Sequence, residues 1–391
     1  MKWVKQEDDQ RVPIKSWCDP VEDGALQQAL NLSKHPSVFK HVALMPDCHR
    51  GYGMPIGGVI ACKMAVIPNA VGVDIGCGMC AISTDFPVGD ITEEAIKKIM
   101  GKVREKVPVG FSHNEKKQEW NGFDNAPDIS IIQKQLPSAR KQLGTLGGGN
   151  HFIEIQKGDD GVVWLMVHSG SRNFGYRIAN KYHEKAVKLC RRWFSDIPDE
   201  DLAFLPMASS EAKEYLECMN FALEFAKENR QRMMEHFKEA VHEVLGCLFL
   251  GEQTNIHHNY AAWENHFKQN VIIHRKGATS ARKGQKGIIP GSMGTPSYIV
   301  EGLGNPESFT SCSHGAGRKM GRKEASRVLS EEECDKAMEG VVFGRWGQDR
   351  KGNSDFGEAP QAYKDIEGVI LSQLDLIKPI VKLHPLGVIK G

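Results

Sequence analysis

Between residues 211 and 247, apolar side chains recur every three or four positions, at Tyr215, Met219, Ala222, Ala226, Met233, Phe237, Val241 and Val244. That period gathers them on one face of a long helix, and Ser209 or Ser210 is suited to cap its start. The methionine and phenylalanine stripe reads as core packing and not as a cofactor surface. A second helix is predicted to follow Phe174 and run through Lys188, and a third to occupy residues 319–338. Short β-branched runs bounded by Gly, Pro or Asn predict strands near residues 41–45, 58–64, 162–167 and 271–274. Strands and helices alternate irregularly. The pattern therefore predicts a mixed α/β or α+β fold and not a doubly wound sheet.

Composition narrows the function classes. The 391 residues carry 50 basic and 49 acidic side chains, a net charge of +1, so any nucleic acid would be held by a local basic patch and not by a global field. The opening MKWVKQEDDQ is polar, and no segment approaches eighteen unbroken apolar residues. Neither a signal peptide nor a membrane span is expected, and the chain reads as cytoplasmic. Ten cysteines at irregular spacing would then be reduced, most of them small core residues.

The 40 glycines change the picture, because they cluster beside reactive side chains in DCHRGYG, VGVDIGCG, LGTLGGGNHF, VHSGSRNFG, PGSMG and SCSHGAGR. In VGVDIGCGM, Asp74 and Cys77 stand three residues apart in a run that bends tightly and admits close backbone approach. His151 stands in GGGNHFIE, His168 at the end of the strand-like run VVWLMV, and the pair His257-His258 in NIHHNY. Imidazole, carboxylate and thiolate together suit Zn, Mn, Fe or Co, and one thiolate can bridge two ions of the kind that clamp oxygens in phosphoryl chemistry. A purely structural metal site is the alternative, although such sites usually form closed sets of four Cys or His ligands. His314 in SCSHGAGR is a candidate nucleophile; the competing reading is a cap for the helix that follows. Arg172 and Arg318 offer planar forks for phosphate, and Arg50, Arg275, Lys276, Arg282, Lys283 and Lys286 are candidates to extend a basic track. A GxxxxGK[ST] loop and a Lys-x-Asp-Gly nucleophile motif are both missing, so a covalent nucleotidyl intermediate would need a histidine. Because the clusters run from Asp47 to Arg318, one composite site built by the whole chain is the simplest organisation.

MPDCHRGYG, VGVDIGCGM, LGTLGGGNHFIEI, VHSGSRNFG, HHNY, HRKGA, GIIPGSMG, SCSHGAGR, AYKDI and VIKG follow one another along the sequence. In this order they resemble the RtcB-type RNA ligases, which join RNA 2′,3′-cyclic phosphate or 3′-phosphate ends to 5′-hydroxyl ends with GTP and manganese. The resemblance covers nearly the whole chain and implies a single catalytic domain over residues 1–391, with an α/β fold around a central metal-containing cleft. It implies that Cys77 is shared by two Mn²⁺ ions, with Asp74 and His151 completing one and His168 and His258 the other. His314 corresponds to the guanylylated residue and Asp47 to the carboxylate that orients it. Asn150, Glu154, Ser292, Tyr363 and Lys390 resemble GTP contacts, Glu154 and Lys390 being suited to the guanine edge. The implied reaction opens a cyclic phosphate, transfers GMP from His314 to the RNA 3′-phosphate, and lets the 5′-hydroxyl expel GMP, in tRNA splicing or RNA repair. A monomer is expected, with an archease-type activator as a possible partner class. The sequence also admits a dinuclear cyclic phosphodiesterase, which would not need His314, Glu154 or Lys390, and a silent RNA-binding relative, which should have lost a ligand. The segment 110–128 looks loop-like and bears on substrate choice.

Overall fold

The structure is a computed structural model that describes residues 1–348, 352 and 354–391. Among these residues two large sheets dominate. The first runs Trp3–Lys5, Ile14–Ser16, Val38–His49, Ile56–Cys62, Gln269–Lys276, Asn259–His266. The second runs Phe249–His257, Gly78–Pro87, Val162–Ser169, Phe152–Gly158, Ile377–Lys390, Ser297–Gly302, Lys286–Ile289. Neighbours pair antiparallel except Ile14–Ser16 with Val38–His49. The mixed α/β class expected from the pattern is the one observed.

Alternation along the strands decides which residues enter which core. In the first sheet Ala43, Met45, Val59, Ala61 and Ile273 pack toward Ile289, Tyr298 and Val300 of the second. Their neighbours Val42, Leu44, Ile60 and Cys62 face Ala25, Ala29 and Leu32 of the helix Asp23–Lys34. In the second sheet Cys80, Ile82, Val163, Leu165 and Val167 meet Met233, Phe237 and Val241 of the helix Ser210–Leu245. That helix carries the predicted apolar stripe. Ser209 caps it by accepting from the Ala212 amide, and Gly246, at φ 66°, ends it in the left-handed conformation that glycine tolerates. Phe225 and Phe237 are fully buried, each contributing on the order of 2 kcal/mol of apolar transfer. No helix among the described residues is long and apolar enough to cross a membrane.

The second predicted helix is Asn173–Arg192. The third is corrected: residues 319–338 form two short helices, Arg322–Val328 and Glu331–Lys336. Ser330 breaks the run because its hydroxyl accepts from the Glu333 amide while its own amide donates to the Glu333 carboxylate. The strand Ile377–Lys390 was not among those predicted. Pro379 and Pro385 interrupt its pattern, and register shifts beside both absorb them.

A candidate metal centre beside a carboxylate-held histidine

Strand register assembles the site. Across the second sheet Met79 pairs with His168, His168 with Phe152, and Phe152 with Lys390. One row further, Gly78 faces both Ser169 and His257. Cys77, His151, His168, Lys390 and His258 therefore emerge at one end of the sheet, although they are spread over more than three hundred positions of sequence. Gly78 makes the row possible: a Cβ there would lie 1.9 Å from the Ile256 carbonyl oxygen. Gly170 does the same for the carboxylate, since its Cβ would lie 2.4 Å from Asp74 Oδ1.

Cys77 Sγ stands 3.3 Å from His168 Nε2 and 3.5 Å from His151 Nε2, and His151 Nε2 is 3.1 Å from Asp74 Oδ2. The other ring nitrogens fix the tautomers. His151 Nδ1 donates to the Leu146 carbonyl at 2.9 Å and His168 Nδ1 to the Asn150 carbonyl at 3.1 Å, so both Nε2 atoms present lone pairs to the thiol. His258 joins Cys77 and His168 in a second ligand group, and its Nδ1 is buried with no hydrogen-bond partner. One thiol proton cannot satisfy two imidazole lone pairs, a carboxylate and an orphaned nitrogen. Two cations sharing the sulfur would satisfy all of them, so the residues present fit a dinuclear metal centre. This is the grouping that the resemblance implied.

Electrostatics agree. Burial, then the charge on Asp74, pushes the Cys77 thiol well above its ordinary value, so a thiolate there needs a positive ion beside it. Burial and neighbouring imidazoles hold His168 and His258 well below theirs, in the neutral form that ligates.

His314 lies beside this cluster, its ring centroid 4.7 Å from that of His258. Its Nδ1 donates to Asp47 Oδ2 at 2.7 Å, and the same oxygen accepts the backbone amides of His314 at 3.1 Å and Gly315 at 3.3 Å. Asp47 is fully buried; burial opposes its charge, but His314, His49 and Lys364 hold its carboxyl below the ordinary range. The Nε2 lone pair of His314 is thus left free. Because the next helix begins only at Arg322, with Gly321 as its cap, the capping role for His314 is excluded.

Of the predicted nucleotide contacts, Asn150, Glu154 and Lys390 sit on or beside the row. Lys390 Nζ donates to the Asn150 carbonyl at 3.3 Å, the acceptor His168 also uses. Glu154 is buried, accepts from Gln156 Nε2 at 2.7 Å, and is pushed up to about 8 by burial. Ser292 Oγ lies 2.8 Å from Thr295 Oγ1. Arg172 Nε donates to Thr145 Oγ1 and its Nη2 to the Gly110 carbonyl, both at 3.2 Å. Arg318 packs over the Tyr363 ring and donates to Glu358, the Tyr363 hydroxyl and the Gly357 carbonyl.

The basic track needs correction. Arg275 is fully buried against Glu264, Tyr260, Ser311 and the Phe309 carbonyl, and Lys276 is buried with Nζ on the Tyr52 and Asn69 carbonyls. Both are structural. Arg50, Arg282, Lys283 and Lys286 are exposed. Three residues escaped the sequence reading. Asn229 and Arg230 lie buried on the long helix: Asn229 binds the backbone of Gly144, Thr145 and Gly170, and Arg230 donates to the Gly76 and Ser169 carbonyls. Their only sequence signal is two polar residues interrupting an apolar stripe. Glu358, the third, gave no signal at all.

Fold and site together define a mixed α/β protein in which two groups of candidate metal ligands share Cys77 beside a carboxylate-held histidine. A model of the family described as tRNA-splicing ligase RtcB matches residues 28–391. The chain is 40% identical to the RNA-splicing ligase RtcB1 of Escherichia coli strain ATCC 25922, over 98% of each chain. It is 39% identical to the RNA-splicing ligase RtcB of E. coli K12, over 98% of each. With the tRNA-splicing ligase RtcB of Pyrobaculum aerophilum it shares 31% identity, covering 98% of this chain and 95% of that one. The chain belongs to the RtcB family.

Proposed function

We propose that the protein is a GTP-dependent RNA ligase that joins 2′,3′-cyclic phosphate or 3′-phosphate ends to 5′-hydroxyl ends through a guanylylated His314. The observation that carries this reading is the Asp47–His314 pair, 2.7 Å long, beside the ligand cluster. A hydrolase of cyclic phosphates would need the cluster but not that pair. Manganese ions held by Asp74, Cys77, His151, His168 and His258 would supply positive charge for phosphoryl oxygens and lower the pKa of bound water.

The remaining work falls to side chains. Asp47 fixes the His314 tautomer, so Nε2 attacks the α-phosphorus of GTP; the P–N bond forms as the bond to pyrophosphate breaks. Asp47 also stabilises the positive charge on the ring while that phosphoramidate persists. The RNA 3′-phosphate then takes the GMP and returns the electron pair to Nε2. The 5′-hydroxyl finally attacks the activated phosphate and expels GMP. Arg172 lies on the Asp74 side of the cluster, where its charge can meet a phosphate. Lys390, Tyr363, Asn150, Glu154 and Ser292 would line the nucleotide pocket.

Incubation with α-labelled GTP and manganese should leave acid-labile, alkali-stable label on the wild-type chain and none on His314→Ala. Label that persists in the variant would overturn the nucleophile. Sealing of a broken RNA only when GTP is present separates ligase from hydrolase.

A further inference from the structure

The densest ionic contact among the proposed nucleotide residues is made by a residue outside that set. Glu358 sits on a loop with its side chain 14% exposed and touches three cations. Its Oε1 accepts from Arg318 Nη1 at 3.2 Å and from Arg322 Nε at 2.6 Å, while Oε2 lies 3.4 Å from Lys390 Nζ and accepts from the Tyr363 hydroxyl. Lys390 in turn donates to the Asn150 carbonyl and lies over the Phe152 ring.

We infer that Glu358 is the positioning residue of the nucleotide pocket: it aims the Lys390 ammonium and the Tyr363 ring at the base and holds the Arg318 fork until a phosphate replaces it. The inference rests on the reading of Lys390 and Tyr363 as nucleotide contacts. An ammonium has three donors. Asn150 takes one of them, and the Glu358 carboxylate, 3.4 Å away in an ion pair, restrains the head group, which leaves a donor for a ligand. A guanine carbonyl oxygen accepts from that donor, whereas the amino group of adenine in the same place presents hydrogens to a cation. Without the carboxylate, Lys390 swings on a flexible stem and this discrimination fades. The two arginines would meanwhile lose the anion that competes with phosphate.

Glu358→Gln keeps the size of the side chain and removes its charge, so it isolates the effect. Binding of GTP, ATP and inorganic triphosphate to the manganese-loaded protein is measured together with His314 labelling at varied GTP. The variant should lose at least tenfold in preference for GTP over ATP, mostly through a raised KM for GTP. It should bind triphosphate at least as tightly as wild type, and Glu358→Asp should restore part of the preference. If Glu358→Gln keeps the wild-type KM and the wild-type preference, even with a lowered melting temperature, Glu358 is merely structural and the inference falls. If the wild-type protein itself does not prefer GTP, the pocket assignment fails first and takes the inference with it.

Discussion

At the scale of single residues, Cys77 is the position on which both ligand groups depend, since its sulfur belongs to each. Cys77→Ala should therefore lower the affinity for both ions, by at least about a hundredfold for the weaker, and abolish His314 labelling. Metal content after dialysis reads the outcome; two ions retained per chain would contradict a shared thiolate. Legible in the sequence were Cys77 and His314, which stand directly beside glycine, and Asp74, His151 and His168, two residues from one, where neighbouring chain can crowd in without a clash; His258, in NIHHNY, was singled out only by the family resemblance. Pairing was not legible. Nothing in HRKGA reveals that Arg275 is neutralised by Glu264 or that Lys276 points inward, and nothing marks Glu358 before Arg318, Arg322 and Lys390 converge on it.

At the scale of elements, the helix Ser210–Leu245 does more than fill the core. Asn229 has no exposed surface, and its amide reaches the loops that carry His151 and Asp74's neighbour Gly170. Asn229→Ala leaves several buried backbone groups unsatisfied and should cost about 2–4 kcal/mol in urea unfolding. Gly78→Ala tests the adjoining strand. With the Ile256 oxygen 1.9 Å from the new methyl, the sheet must part at the ligand row, and a loss of at least about 3 kcal/mol is expected, with weakened metal binding. A stability change under about 0.5 kcal/mol in either variant would refute its account. The long helix was readable because its period persists over many turns. The run of residues 319–338 misled because charged residues of good helix propensity mask Ser330, whose preference for a cap outweighs continuation. The proline-bearing strand Ile377–Lys390 was hidden because its pairing depends on bulges that only a partner strand reveals.

For the whole molecule, acid is the revealing stress. His35 and His41 are lowered to about 4 and His274 to about 3, in each case chiefly by burial and all three away from the ligand cluster. Folded-state values below the unfolded value near 6.5 mean that the unfolded chain binds more protons under that pH. Their contribution is complete above pH 6.5 and is lost as pH falls toward the folded values, at up to about 1.4 kcal/mol per pH unit for each. Unfolding free energies of the protein at pH 7, 6 and 5 should drop steeply over the last unit. A flat profile would contradict neutral burial of these rings. The fold class was readable at this scale from irregular alternation alone, but the meeting of two sheets at one centre was not, because register is a property of pairs of strands.

That meeting has a mechanical consequence. Chain leaves the second sheet at His257 and enters the first at Asn259, with His258 between them and its amide bonded to the Cys77 carbonyl at 2.8 Å. An ion held there, as proposed, would work as a rivet through two plates. Stripping it with a chelator should let the plates slip, so amide protons of residues 255–260 should exchange with deuterium faster while those in the middle of the long helix keep their pace.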